Sequence, residues 1–399
     1  MRTGAKKAEG AAQAAEPGAR REMLRAVLTL MAGAPAVLVL QILALLRLAV
    51  QHCARLLQKP GPSADQRALR TPEARFAELP DFRYKPAYFE HGPSGCRVAY
   101  LDEGPRDAPH TVVLVHGDLS WSFAYRRVLK GLIQAGHRCV ALDFIGFGRS
   151  DKPSSPGAYC QELHMDTLRA LLAHLGLRGV TLALQGSGAL GGLAVLPSLS
   201  PDTCRALVVM NAGLPPGERG PLTSLRGAAS AMPFLLWRSI AELFQGNLPV
   251  GQLIQLGTRR HLSPAELAGY EAPFPESRFA QGAWAWSLMV PLGPSHPAAR
   301  YTARAAEYLR DSFGGHALVL FSADPMTRPF KDNFASCLGR GGGIGAVRRI
   351  RDVRGGHFLQ DDLDAGEVAG QISKFLARID EVEAEVRAWR PVPGALGGR

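Results

Sequence analysis

Seven short apolar runs, at 97–101, 111–116, 138–143, 180–185, 206–211, 317–322 and 348–353, are bounded by turn residues and read as strands. Between many of them lie helix-like stretches, for example 123–135, 165–175 and 190–198. Strand–helix alternation of this kind predicts a mostly parallel sheet with helices on both faces. Right-handed crossovers then bring the loops that follow the strands to one edge of the sheet. The chain's least ordinary residues sit in those loops: 117–121, 146–150, 186–188, Asp324 and His357. One shared pocket at that edge is the expected outcome.

The alternation stops between Gly213 and His296, a helix-prone stretch broken by Pro233, Pro249, Pro264 and Pro273. An insertion of this size between two strands reads as a helical cap over the pocket. A chain of 399 residues, 46% hydrophobic and 20% charged, is large enough for one such domain with its cap and an anchor. The expected organisation is a disordered N-terminus at 1–25, an anchor at 26–46 and a linker at 47–75. A core at 76–212 and 297–389, interrupted by the cap at 213–296, would follow, with a tail at 390–399.

The anchor is read from Ala26 to Leu46, a run with no charged side chain. At about 1.5 Å per residue it matches the ~30 Å hydrocarbon core of a bilayer. Pro35 and Gln41 interrupt its apolar character without removing it. Length and flanking arginines favour a single-pass anchor over a cleaved signal peptide or a helix lying on the membrane surface. Lys6, Lys7, Arg20, Arg21 and Arg25 precede the run, against Arg47, Arg55 and Lys59 after it. That bias puts the N-terminus in the cytosol and the folded domain in the lumen of an endomembrane such as the endoplasmic reticulum.

The formal charge of +11 comes from scattered basic residues, not from a basic stripe interleaved with aromatics. Attraction to anionic membrane is therefore expected rather than nucleic-acid binding. The six cysteines show neither a CxxC pair nor a ligand-like Cys/His spacing, so no metal is expected. Cys139 and Cys204 lie at strand-like runs and read as small core residues. Gly146 and Gly148 read as tight-turn glycines rather than a phosphate loop.

Several motifs carry a family resemblance over roughly residues 80–380. They are Tyr100-Leu-Asp-Glu-Gly104, His116-Gly-Asp-Leu-Ser-Trp-Ser122, Asp143-Phe-Ile-Gly-Phe-Gly-Arg-Ser-Asp-Lys-Pro153, Met210-Asn-Ala-Gly-Leu-Pro215, Tyr270-Glu-Ala-Pro-Phe-Pro275, Phe321-Ser-Ala-Asp-Pro-Met-Thr327 and Gly355-Gly-His-Phe358. Together they resemble the α/β-hydrolase fold and, within it, the haloalkane dehalogenases; epoxide hydrolases match less well in the first loop. The resemblance implies that His357 is the general base and that Asp324 is the acid orienting it. A turn-forming Asp before Pro325 is the plainer reading of Asp324. The resemblance also puts Asp118 where the family has Glu or Asn at the oxyanion or halide pocket, with loop capping as its alternative. It puts Trp237 where some members bind halide with a cap indole, with cap packing as the alternative. Trp121 reads as packing the loop. No metal or organic cofactor is implied, and the pocket would suit a small hydrophobic molecule.

The departure from the family lies in Leu182-Ala-Leu-Gln-Gly-Ser-Gly-Ala189. The family has Gln-Asp-Trp-Gly here, with Asp as nucleophile, so Gly186 and Ser187 replace Asp and Trp. Displacing halide from an sp3 carbon needs a carboxylate, and Gly186 has no side chain. Loss of a triad nucleophile costs on the order of 10⁶ in rate. Three readings stay open: a pseudoenzyme that binds without covalent chemistry, a serine hydrolase using Ser187 with His357 and Asp324, and water activated directly by His357. The serine reading has a difficulty of register. A nucleophile elbow wants small residues two before and two after its centre. Centred on Ser187, those places hold Gln185 and Ala189; centred on Gly186, they hold Leu184 and Gly188.

Overall fold

The structure, a computed structural model, describes residues 68–213, 225–324, 327, 331–338, 346–362 and 365–389. All belong to the unit Pro62–Arg399. The apolar run at 26–46 lies outside the described residues. Among the described residues no helix is long and apolar enough to cross a membrane.

Eight strands form one sheet: β1 (Ala87–His91), β2 (Cys96–Glu103), β3 (Thr111–Val115), β4 (Arg138–Leu142), β5 (Val180–Gln185), β6 (Cys204–Met210), β7 (His316–Phe321) and β8 (Arg348–Asp352). Their spatial order is β1-β2-β4-β3-β5-β6-β7-β8. β2 runs antiparallel to β1 and β4; every other pair is parallel. β5 and β7 are buried along their whole length, because helices cover both faces of a parallel sheet. That is why they read as largely apolar runs. The sequence reading did not find β1, whose Ala-Tyr-Phe-Glu-His has only Phe89 and His91 buried and is held by pairing to β2. β8 is the opposite edge, and its Arg-Arg-Ile-Arg-Asp is largely exposed. Charge on an edge strand discourages pairing with another chain.

The core helices are α1 (Arg126–Gln134), α2 (Gln161–His174) and α3 (Gly188–Ala194). Four more, α4 (Leu225–Phe244), α5 (Val250–Gly257), α6 (Pro264–Glu271) and α7 (Gln281–Met289), follow β6 and precede α8 (Ala299–Asp311) and β7. Then come α9 (Lys331–Leu338), α10 (Leu359–Asp362) and the long α11 (Ala365–Trp389). α6 starts with a capping box: Ser263 Oγ accepts from the Glu266 N–H, and Glu266 accepts from the Ser263 N–H. α11 packs against α1 on one face of the sheet.

Three residues at the end of the expected linker belong to the folded body. Leu69 pairs with Lys152, Arg70 forms a two-pronged ion pair with Asp151, and the Thr71 hydroxyl donates to the Pro273 carbonyl at 2.8 Å. A polar run can be ordered by long-range partners that no local pattern announces.

The helices between β6 and β7 are tied to the core by polar contacts. Trp121, fully buried, donates from Nε1 to the Gly269 carbonyl at 3.0 Å. Arg126 on α1 reaches Glu266 of α6 at 2.8 Å and Asp361 of α10 at 2.6 Å, with Arg126 and Asp361 wholly shielded from solvent. The Tyr270 hydroxyl also donates to Asp361. Removing one partner of a buried pair leaves the others charged and unpaired, at about 3–5 kcal/mol. Arg126→Met is therefore expected to lower unfolding free energy by about that amount in urea titration. A loss below about 1 kcal/mol would show that this cluster does not fasten α6 to the core.

Candidate active site

β5 ends in a tight turn, and Gly186 stands at its apex with φ +53°, a conformation costly for residues with a Cβ. The chain then enters α3. Two residues on, a Cβ at Gly188 would stand 2.2 Å from the His116 carbonyl oxygen at the end of β3, so only glycine fits. This close approach fixes the register of the turn. Ser187 has an ordinary helical conformation, φ −68° and ψ −17°, and its hydroxyl is turned away from the apex direction. A Cβ at Gly186, by contrast, would lie 3.1 Å from Nε2 of His357. The position facing the imidazole is the one without a side chain.

His357 follows β8. Its Nδ1 donates to Asp324 Oδ2 at 2.9 Å, and the Thr327 hydroxyl donates to the same oxygen at 2.6 Å. Asn211, at the end of β6 with φ +42°, holds the histidine loop. Its Nδ2 donates to the carbonyls of Gly356 at 2.8 Å and His357 at 3.1 Å, and its Oδ1 accepts from the Ser322 N–H at 2.8 Å. Asparagine tolerates the left-handed region better than most side chains. The His357 N–H donates to the Gly257 carbonyl at the end of α5. Burial disfavours the charged imidazole; the hydrogen bond and charge of Asp324 and the charge of Asp118 outweigh it, so the pKa of His357 is raised.

Ser187 is committed elsewhere. Its Oγ donates to Asp118 Oδ1 at 2.7 Å and accepts from the Asp118 N–H at 2.7 Å. Trp237 of α4 lies close enough to the Asp118 carboxylate to favour its charged form. Loss of water contact pushes the Asp118 carboxyl above the usual range; the Ser187 bond, the His357 charge and the nearby Trp237 pull it the other way without cancelling that effect. One donor that could serve a reacting substrate, the Asp118 N–H, thus faces a hydroxyl of the protein itself.

These residues line one pocket of about 520 Å³, its open mouth included. Asp118, Gly186, Ser187 and His357 form its polar floor, and Leu190, Phe234, Trp237 and Val290 its apolar walls. All the candidate residues read from the sequence converge here except Asp324, which stands behind His357. Thr327, Asn211, Phe234 and Val290 were not singled out. Thr327 and Asn211 lay within quoted motifs, and their hydroxyl and amide were the available signal. Phe234 and Val290 lie on α4 and beyond α7, and their place in the wall follows from cap packing alone. Among the described residues no group of three or more His, Cys, Asp or Glu could hold a metal ion.

An eight-stranded sheet of this order, with a turn of this geometry facing a His–Asp pair, defines an α/β-hydrolase-fold protein. A family model described as alpha/beta hydrolase fold matches residues 110–362. The haloalkane dehalogenase of Mycolicibacterium paratuberculosis is 35% identical over 298 residues, 74% of this chain and 93% of that protein. That of Psychrobacter cryohalolentis is 36% identical over 312 residues, 77% and 97% respectively. The solved structure of haloalkane dehalogenase DpaA from Paraglaciecola agarilytica superposes with a TM-score of 0.68 at 31% identity, covering 78% of this chain and 98% of that one. This chain belongs to the haloalkane dehalogenase family of the α/β-hydrolase fold.

The raised pKa of His357 gives stability a definite pH dependence. Its folded value lies above the ordinary 6.5, so the folded protein holds this proton more tightly than the unfolded chain. The contribution is complete below pH 6.5 and is lost as pH rises through the folded value. Asp324→Asn removes the largest raising partner and is expected to lower the imidazole pKa and shrink this pH dependence. NMR titration of the His357 ring checks it; an unmoved midpoint would sink the assignment of Asp324 as the group that holds the proton.

Proposed function

We propose that this protein binds a small, mostly apolar molecule without covalent turnover, on a family frame that has lost its nucleophile. The observation that carries the reading is the empty position beside His357: Gly186 occupies the turn apex and has nothing to attack with. The carboxylate attack that dehalogenation needs has no donor atom there. The leaving-group side is altered as well. Ser187 stands where the family has an indole, and Trp237 acts on the Asp118 carboxylate. The apolar walls and the cap over the floor suit a small hydrophobic ligand. We further propose that residues 26–46 anchor the chain to an endomembrane as a single pass, with the folded domain on the lumenal side; the uncharged run and its flanking arginines support this.

The competing reading makes Ser187 the nucleophile of an esterase. Against it, both hydrogen-bonding functions of Ser187 Oγ engage Asp118, and none engages His357. The Asp118 N–H, a natural oxyanion donor, is taken by the same hydroxyl. A fluorophosphonate probe on the membrane-extracted full chain separates the two. The expected result is no labelling that depends on Ser187. Labelling that disappears in both Ser187→Ala and His357→Ala would overturn the non-covalent reading.

A second experiment tests whether the frame is otherwise intact. The double variant Gly186→Asp, Ser187→Trp is expected to release halide from 1-chlorobutane at least about a hundredfold faster than the parent. That is a small part of the ~10⁶ that a triad nucleophile is worth. A folded double variant without halide release would show that more than the nucleophile has been lost.

A further inference from the structure

The reading above leaves the chemistry of the ligand open, and the floor of the pocket restricts it. Resting on that reading, we infer that the notch at Gly186 receives the oxygen of a neutral, apolar, hydrogen-bond-accepting molecule such as a medium-chain ketone. The Nε2–H of His357 is its donor, and Leu190, Phe234, Trp237 and Val290 surround its hydrocarbon part.

The first step is to find the polar group that lacks a partner. Ser187 both donates to and accepts from Asp118. Asp118 in turn receives Ser187 and has Trp237 close by. His357 uses Nδ1 on Asp324, while Nε2 makes no hydrogen bond among the described residues. Nε2 faces the place where a side chain at Gly186 would begin, 3.1 Å away from a Cβ there. A ligand atom in that notch is within hydrogen-bond reach of the ring.

The second step is charge. Asp324 lies against one side of the imidazole, and the Asp118 carboxylate acts on it from the pocket floor. Two carboxylates around one imidazole favour its protonated form, and in that form Nε2 offers N–H rather than a lone pair. The protonated imidazole therefore requires an acceptor of the ligand. A carboxylate head would place a third negative charge beside Asp118 and Asp324. An ammonium head has no lone pair for the Nε2–H and meets the imidazolium's like charge. A halogenated alkane accepts hydrogen bonds poorly. A neutral carbonyl oxygen satisfies the donor without adding charge, and its alkyl chain suits the apolar walls.

The experiment uses the full chain in lipid nanodiscs and a matched six-carbon series: 2-hexanone, hexanoate, hexylammonium and 1-chlorohexane. A hydrogen bond from a charged donor is expected to make 2-hexanone bind about tenfold or more tighter than each of the others below pH 6.5, where the raised pKa keeps the imidazole protonated. Titration of the unmodified protein with 2-hexanone is expected to shift the His357 Nε2 nitrogen resonance. Gly186→Asp puts a carboxylate into the notch and is expected to weaken 2-hexanone binding at least about tenfold. Equal binding across the series, tightest binding of hexanoate or hexylammonium, an unmoved Nε2 resonance, or undiminished binding in a folded Gly186→Asp variant would each overturn the inference. The Nε2 resonance needs no variant, so it decides the matter if Gly186→Asp fails to fold. Probe labelling at Ser187 would instead remove the non-covalent reading, so the two failures stay distinguishable.

Discussion

The packing of Gly188 against the His116 carbonyl, at the junction of β3, β5 and α3, sets everything that follows at this site. A Cβ there would come within 2.2 Å of the oxygen, so the strand-to-helix turn can close in one register only. That register puts Gly186 at the apex in a left-handed conformation and gives Ser187 the first helical geometry after it. One residue of displacement separates a hydroxyl facing the imidazole from a hydroxyl facing Asp118. The steric limit of one backbone contact therefore decides which chemistry the floor of the pocket can support.

Around that turn most polar groups engage one another, while Nε2 of His357 stays open to the pocket. The Ser187 hydroxyl points at Asp118, Trp237 favours the charge of Asp118, and Asp118 and Asp324 act together on His357. An internal carboxylate thus occupies donors that would otherwise stabilise charge developing on a substrate. Such donors aid catalysis only when they remain available to the transition state. The His–Asp pair keeps the geometry of a base and its orienting acid, fixed by Thr327 and Asn211, yet it faces an empty notch. Preorganised donors in an apolar-walled cavity are well suited to holding a ligand.

Much of the fold was legible because parallel strands buried on both faces leave continuous apolar runs. Val180–Gln185 has the same limits in sequence and structure. β1 was not legible, since its half-exposed pattern is short and its partner β2 supplies the order. Leu69, Arg70 and Thr71 looked like linker because their partners Lys152, Asp151 and Pro273 are far away in sequence. In the site, Gly186, Ser187, Asp118, Trp237, Asp324 and His357 could be named from motifs, as could the difficulty of placing Ser187 in register. The destination of the Ser187 hydroxyl could not, because that depends on how the loop after β3 lies against the turn after β5.

Sequence by itself determined the alternation that makes the sheet, the loops that bear the site, and the absence of a side chain at position 186. It did so because these are local properties: hydrophobic period, turn composition and residue identity. Only the tertiary structure decided that Ser187 pairs with Asp118, that Trp237 joins them from α4, and that Nε2 of His357 opens onto the notch. Those facts depend on angles and distances among segments up to 170 or so positions apart, which only the packed core fixes.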